Sequence, residues 1–258
     1  MIVSRQNQKV KDIRRLLRCK GDRAILEGPH LIREALQAGL GLEYALATPD
    51  FLASKTGQEL LSNSQLEVAE AEPRLLQELC DADSPRGILA IASLPRPSLE
   101  SIPVVDNGLY VVVDGIQDPG NLGALVRTAE AFSAAAVVLT PGTAHPNHPR
   151  ALRASAGSLL RASVAMGVEV ADLARHLERV SPTWLALTPA DGESISDLDL
   201  SGSIVLAVGA EGPGLSAGVH TQADRHLTIR LTPPVESLNS TVAASIALYE
   251  ISRSRSTG

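Results

Sequence analysis

Leu109-Tyr-Val-Val-Val-Asp114 runs straight into Gly115-Ile-Gln-Asp-Pro-Gly-Asn121: an unbroken apolar run followed by a polar loop bearing glycine and proline. A run that is apolar at every position, rather than at alternate ones, is the mark of a parallel strand buried on both faces. Downstream, the pattern predicts helices over Leu122–Phe132, Ala151–Leu160 and Ala171–Val180. It predicts strands at Ala136–Leu139, Trp184–Leu187, Ile204–Val208 and Leu227–Leu231, and a last helix at the C-terminus. Strands alternating with helices imply an α/β fold with a parallel sheet. Ligands on such sheets bind at the carboxyl ends of the strands. Three polar loops leave those ends, at residues 115–121, 209–214 and 232–239.

The third loop opens the stretch Arg230-Leu-Thr-Pro-Pro-Val-Glu-Ser-Leu-Asn-Ser-Thr-Val-Ala-Ala-Ser-Ile-Ala-Leu-Tyr-Glu250. Its prolines exclude a regular helix or central strand. Ser237 or Asn239 can then cap an Ala-rich helix. Small residues at Ala243, Ala244, Ser245 and Ala247 let that helix approach a neighbour closely. A stiff loop at a helix N-terminus suits a polar ligand, and an ordinary capped helix is the plain alternative.

Upstream, Leu94-Pro-Arg-Pro-Ser-Leu-Glu-Ser-Ile-Pro103 has the composition of a linker. It sets the expected domains at residues 1–93, a Pro-rich linker at 94–107, and 108–258. The first of these reads as a small α/β unit. Its expected helices lie at residues 7–19, 31–38, 56–61 and 74–80, and its strands at 24–26, 44–47, 66–68 and 87–92, with a loop at Thr48-Pro-Asp50.

The 258 residues are 44% hydrophobic, enough for one large domain or two ordinary ones. Aromatics are few, so Ala, Leu and Val must fill the core. No apolar run is long enough to cross a bilayer, and the N-terminus has no signal-peptide h-region, so a cytoplasmic location is expected. Cys19 and Cys80 form neither a metal-ligand spacing nor a disulfide framework. The net charge of −6 is unevenly spread: residues 1–23 carry eight Lys or Arg and two Asp or Glu, hence +6, and the remainder carries −12. On the first expected helix, Lys11, Arg14, Arg15 and Arg18 fall at i, i+3, i+4 and i+7. Such a stripe can track RNA phosphates; a solvated helix face is the plain alternative.

Several motifs carry little. Gly115, Gly120 and Gly123 do not fall in dinucleotide-binding order, and no P-loop is present. Gly209-Ala-Glu-Gly-Pro-Gly214 follows a strand, and its glycines allow close approach of a ligand to the backbone. Gly214-Leu-Ser-Ala-Gly218 matches the nucleophile elbow of serine hydrolases, but residues 209–213 separate it from the strand. Asp224 and His226 follow too locally for a triad. His145-Pro-Asn-His148 lacks the further ligands of a metal site, and no metal is expected. Asn239-Ser-Thr241 is a formal sequon in a chain with no mark of secretion.

Taken together, Asn121-Leu-Gly-Ala-Leu-Val-Arg-Thr-Ala-Glu-Ala-Phe132, Gly209-Ala-Glu-Gly-Pro-Gly-Leu215 and Ser237-Leu-Asn-Ser-Thr-Val-Ala-Ala-Ser-Ile-Ala-Leu-Tyr-Glu250 resemble the three motifs of the SpoU (TrmH) family. These are RNA ribose 2′-O-methyltransferases of the SPOUT class. The likeness spans residues 109–250 in order and spacing. Arg150-Ala-Leu-Arg-Ala-Ser-Ala-Gly157 is similar to the family's segment between the first two motifs. Residues 4–92 resemble the family's L30e-like substrate-binding extension, most clearly at Leu26-Glu-Gly-Pro-His-Leu-Ile-Arg-Glu-Ala35.

The resemblance implies a knotted domain, its C-terminal segment threading a deep trefoil knot, a rare exception to chain topology. It implies a homodimer with composite active sites and S-adenosylmethionine (S-adenosyl-L-methionine) as cofactor. By matching position, Thr188, Gly209, Ile229 and Leu238 are expected to bind the cofactor, and Asn121, Arg127, Glu211, Ser237 and Asn239 to form the catalytic set. The expected partner is RNA, ribosomal rather than transfer RNA, because the N-terminal likeness is to rRNA-modifying members. There are departures. Ile229-Arg-Leu-Thr-Pro233 stands where many members read Ile-Pro-Met-x-Gly, and Ser133 stands where Gly often follows the first motif. A catalytically silent RNA-binding protein is the second reading, a transfer-RNA methyltransferase its neighbour, and a serine hydrolase a distant third.

Overall fold

A computed structural model describes residues 1–19, 21–62, 64–82 and 85–256. In chain order its elements are α1 (Gln8–Arg18), β1 (Arg23–Glu27), α2 (Pro29–Gln37), β2 (Leu42–Ala47), α3 (Pro49–Ala53), α4 (Lys55–Leu61), β3 (Val68–Glu70), α5 (Pro73–Leu79) and β4 (Ile88–Ser93). Then follow β5 (Leu109–Asp114), α6 (Pro119–Ala131), β6 (Ala136–Leu139), α7 (Pro149–Ala154), β7 (Val164–Met166), α8 (Val170–Leu177) and β8 (Thr183–Leu187). The chain closes with β9 (Glu193–Ser194), β10 (Ile204–Gly209), α9 (Ala217–Gln222), β11 (Arg225–Thr228) and α10 (Ser240–Ser256).

Two compact units result, and neither is continuous in sequence. One comprises Met1–Pro95 with His145–Arg161, the other Arg96–Ala144 with Ala162–Gly258. The expected boundary near residue 94 made no provision for residues 145–161, which sit with the N-terminal unit.

In the first unit the strand order is β1-β4-β2-β3, with β4 antiparallel to both neighbours and β3 parallel to β2. One face follows the strand period of two. Ile25, Tyr44, Leu46, Leu89 and Ile91 form a core with Val10, Ile13 and Leu16 of α1 and Leu75, Leu76 and Leu79 of α5. α1 forms because its apolar residues recur at helical spacing and Asn7 caps it, the side chain accepting from Lys9 N at 2.9 Å. α3 occupies the stretch expected to be a loop, since Thr48 caps it and Pro49 takes the first helical position.

α7 is where the sequence expectation most needs correction. The helix expected over residues 151–160 stops at Ala154, and the backbone turns left-handed at Ala156 and Gly157, with φ of +48° and +100°. A φ of +100° is one that side chains rarely adopt, so the turn itself favours glycine at 157. Arg153 of α7 donates to Glu27 Oε2 at 2.6 Å and to Asp81 Oδ2 at 2.7 Å. Glu27, its side chain 3% exposed, also accepts from Asp81 N and Ala82 N. This ion pair, buried on the Glu27 side, fastens residues 145–161 to β1.

The second unit is a seven-stranded parallel sheet in the order β7-β6-β5-β10-β8-β11-β9. All six residues of β5 are buried, as the continuous apolar run predicts. On one face Tyr110, Val112, Val138, Val205 and Ala207 pack with Leu173 and Leu177 of α8 and Val219 of α9. α6 contacts β6, and α10 contacts both α6 and β10. Ala244 and Ala247 are fully buried, and Ser245 Oγ lies 3.3 Å from Thr128 Oγ1 of α6. Small residues thus set that close approach, as expected. Ser133, the residue in the usual glycine position, has φ +58° and follows the last turn of α6 in a left-handed conformation. The short elements β7, β9 and α9 carry too few residues to show a period, and sequence reading passes over them. β11 lies earlier than the expected 227–231, because Ile229 onward leaves the sheet.

Burial pushes the Glu27 carboxyl above its ordinary value of 4.5, opposed by the Asp81 amide and the Arg153 cation. A carboxyl raised in the folded state contributes stability that is full below its unfolded pKa and is lost as pH rises through the folded one. Arg153→Ala removes the opposing cation, moves that window upward and costs roughly 3 kcal/mol near neutrality. Urea melts at about pH 5 and about pH 8 should show a larger deficit for the variant at the higher pH; equal deficits would contradict this role.

Candidate functional site

The register of the parallel sheet sets the site. Asp114 of β5 pairs with Gly209 of β10, and Val208 of β10 pairs with Leu187 of β8, so these strands end side by side. Thr188 N donates to Leu227 O of β11 at 2.8 Å, which brings the end of β11 to the same edge. The loops after β5, β8, β10 and β11 therefore emerge together, where ligands of parallel sheets bind.

Residues 209–215 fold back on themselves. Ala210 and Gly214 exchange backbone hydrogen bonds at 3.2 and 3.0 Å. A Cβ on Gly209 would lie 2.4 Å from the carbonyl carbon of Gly214, so Gly209 is required by the loop's own backbone. This refines the sequence argument, which assigned that glycine's freedom to an approaching ligand.

Glu211 then stands between the other two loops. Its Oε1 accepts from Asn121 Nδ2 at 3.0 Å and from Asn239 Nδ2. Asn239 Nδ2 also lies 3.4 Å from Asn121 Oδ1. Asn239 caps α10, its Oδ1 accepting from Thr241 N at 3.0 Å and Val242 N at 3.2 Å. Thr241 Oγ1 donates to Asn121 O at 3.1 Å, stitching the start of α10 to α6. On the α6 side, Asp118 caps the helix by accepting from Asn121 N at 2.8 Å.

Beside this junction lies a cavity of about 470 Å³. Thr188, Gly209, Ile229 and Leu238, the four residues expected to bind a cofactor, all line it. Ser237, Asn239 and Glu211 line it too, with Leu187 and Leu231 adding apolar wall. Asn121 lines a neighbouring cavity that shares Ala210, Glu211, Gly214 and Ser240 with the first. Arg127 lines neither; it is exposed on α6 and has no polar partner among the described residues. Of the five expected catalytic residues, three are therefore hydrogen-bonded together, Ser237 is exposed at the cavity, and Arg127 stands apart.

Two groups at this site escape sequence reading. Asp114 is buried and accepts from Thr140 Oγ1 at 2.8 Å and Ser216 N at 2.6 Å, clamping the loops after β5, β6 and β10. A carboxylate closing an otherwise apolar buried strand is the signal that could have found it. Ser240 buries its hydroxyl without a partner on the wall the two cavities share.

Elsewhere, Lys11, Arg15 and Arg18 are exposed on α1 and make no side-chain hydrogen bond or ion pair among the described residues, though the Arg15 cation helps to lower the Asp12 carboxyl. Arg14 is half-buried and donates to Glu78 at 3.0 Å, so it is partly withdrawn from the expected stripe. His145 Nδ1 and His148 Nδ1 accept from Asn147 N and Arg150 N, both at 3.1 Å. No group of three His, Cys, Asp or Glu suited to a metal occurs among the described residues. No described helix is long and apolar enough to cross a membrane. The Gly214–Gly218 match gains nothing: Asp224 accepts from Trp184 N at 2.8 Å, and the His226 ring lies 3.2 Å from that of His220.

Residues 108–249 match the SpoU rRNA Methylase family, and residues 7–90 match the MRM3-like substrate binding domain. The chain is 31% identical over 257 residues to the 23S rRNA (guanosine(2553)-2'-O)-methyltransferase RlmP of Bacillus subtilis strain 168, covering 97% of this chain and 98% of that one. It is 30% identical over 211 residues to the 23S rRNA (uridine(2479)-2'-O)-methyltransferase of Streptomyces viridochromogenes, covering 80% and 74%. The crystal structure of the SpoU methyltransferase AviRb from Streptomyces viridochromogenes in complex with AdoMet is similar at a TM-score of 0.89 and 27% identity, covering 98% of this chain and all of that one.

Gly209→Ala would force the 210–214 backbone outward. Calorimetry with S-adenosylmethionine should then show at least a tenfold loss of affinity, about 1.4 kcal/mol. Undiminished binding would contradict the close approach.

Proposed function

Because the chain belongs to the SpoU rRNA methylase family, we propose that it transfers a methyl group from S-adenosylmethionine to a ribose 2′-hydroxyl of ribosomal RNA. The observation that carries this reading is the meeting of Asn121, Glu211 and Asn239 beside a cavity lined by Thr188, Gly209, Ile229 and Leu238. That cavity fits the cofactor: Leu187, Ile229, Leu231 and Leu238 suit an aromatic base, and the 209–214 backbone and Thr188 supply polar contacts. When bound, the cofactor supplies an electrophilic methyl on a sulfonium, so the protein's work is to position and polarise the acceptor.

Each side chain has a part in that work. Asn121, Glu211 and Asn239 hold the loops in register, and exposed Ser237 orients the ribose at the cavity mouth. Arg127 binds the neighbouring phosphate and stabilises the oxyanion that develops on the 2′-oxygen. It is not a general base, because a guanidinium does not give up its proton in proteins. The exposure of Arg127 fits a composite site in a homodimer. Val242, Ile246 and Tyr249 of α10 are 49%, 38% and 52% exposed at i, i+4 and i+7, an apolar stripe suited to a second copy. Size measurement by light scattering should find a dimer, and Ile246→Asp a monomer; a monomeric wild-type protein would overturn the pairing.

The first unit serves as an L30e-like RNA-binding domain, with Lys11, Arg15 and Arg18 as phosphate contacts. A cytoplasmic location accords with a ribosomal RNA substrate. A deep trefoil knot belongs to the same reading, supported by the seating of α10 against both α6 and β10. Crystallographic coordinates that untie when both ends are pulled would refute it.

The test is transfer of labelled methyl to total rRNA and tRNA, followed by nucleoside analysis. Wild-type protein should yield a 2′-O-methylated nucleoside from rRNA, and Arg127→Ala none, with cofactor affinity kept. Full activity in Arg127→Ala would sink its assigned role. Changing Lys11, Arg15 and Arg18 to Ala should flatten the slope of log affinity for RNA against log salt by about 2. Arg14→Ala should change it less, and an unchanged slope in the triple variant would return α1 to a solvated face.

A further inference from the structure

The cavity beside the cofactor site, about 630 Å³, opens at the carboxyl ends of β5 and β10. Strand order diverges there: β6 and β7 lie to one side, and β8, β11 and β9 to the other. This is the topological switch point, where parallel sheets receive ligands. We propose that this second cavity takes the base of the nucleotide being methylated and that Gln117 reads its edge. The inference rests on the methyltransferase reading above and adds the substrate contact that reading leaves open.

Three observations carry it. The cavity shares Ala210, Glu211, Gly214 and Ser240 with the cofactor cavity, so its occupant meets the same junction. A reacting ribose must come within about 3–3.5 Å of the donor atom, and the base attached to it then falls in the adjoining space.

The lining chemistry excludes a phosphate. Among the described residues no Lys, Arg or His lines the cavity, whereas Asp114, Asp118 and Glu211 do. Negative charge opposes a phosphate and tolerates a neutral ring. Ile116, Pro141, Pro213 and Leu215 supply apolar wall for such a ring.

Hydrogen-bonding capacity then narrows to few groups. Asp114 is committed to Thr140 and Ser216, and Asp118 to the Asn121 amide. Gln117 is exposed, has no polar partner among the described residues and carries both a donor and an acceptor, as base-edge reading needs.

The experiment uses the full chain, unmodified 16S and 23S rRNA transcripts and labelled S-adenosylmethionine. The methylated position is mapped first, and Gln117→Ala and Gln117→Glu are then compared with wild type. Both variants should raise KM for the transcript about tenfold, the loss of one base-edge hydrogen bond, with cofactor affinity within about twofold. On transcripts changed at the mapped base, wild type should discriminate, and Gln117→Ala should discriminate less. Unchanged KM and unchanged base preference in an active enzyme would overturn the base pocket alone. Cofactor binding by wild type without transfer to any transcript would overturn the methyltransferase reading, and the base pocket with it.

Discussion

Glu211 Oε1 accepts from Asn121 Nδ2 and Asn239 Nδ2, residues separated from it by 90 and 28 positions in the chain. That one oxygen holds the loops after β5, β10 and β11 in a single place. The amides are themselves fixed, Asn121 in the first turn of α6 and Asn239 as the cap of α10. The two helices are joined again through Thr241 and Asn121 O, and through Ser245 and Thr128. A charged acceptor makes each bond stronger than a neutral one would, and more so once a ligand excludes water. The arrangement places a carboxylate where it braces both cavities without itself having to react.

The sheet makes this convergence possible. Parallel neighbours end at one edge, so β5, β8, β10 and β11 deliver their loops to a common rim, and Asp114 clamps three of those loops from beneath. In the first unit a different buried carboxylate, Glu27, takes Arg153 and fixes a segment that sequence order assigns elsewhere. Both are charges held by full sets of partners, the condition under which burial is tolerated.

Legibility in the sequence followed the range of the forces involved. β5 and β6 were readable to the residue, because a strand buried on both faces is apolar throughout. The three functional loops were readable from their Gly, Pro and Asn content and from family resemblance. β7, β9 and α9 were not, since so few residues show no period. The left-handed turn at Ala156 and Gly157 ends α7 without a signal in the apolar period, and the tether of Arg14 depends on Glu78, which is not local. Gly209 was read as a site for ligand approach, whereas its own loop fills that space. Asp114 and Gln117 lay within the stretch that decided the fold; a carboxylate closing an apolar strand marks the first, whereas nothing in the sequence marks the second.

The measurement that bears most directly on this account is a set of mutant cycles linking Asn121→Ala, Asn239→Ala and Glu211→Ala, read as methyl transfer at saturating cofactor. If one carboxylate joins the three loops, each single change should cost nearly as much as the triple, because the groups act as a unit. Losses that simply add would mean that the three loops contribute separately and that Glu211 is not what holds them together.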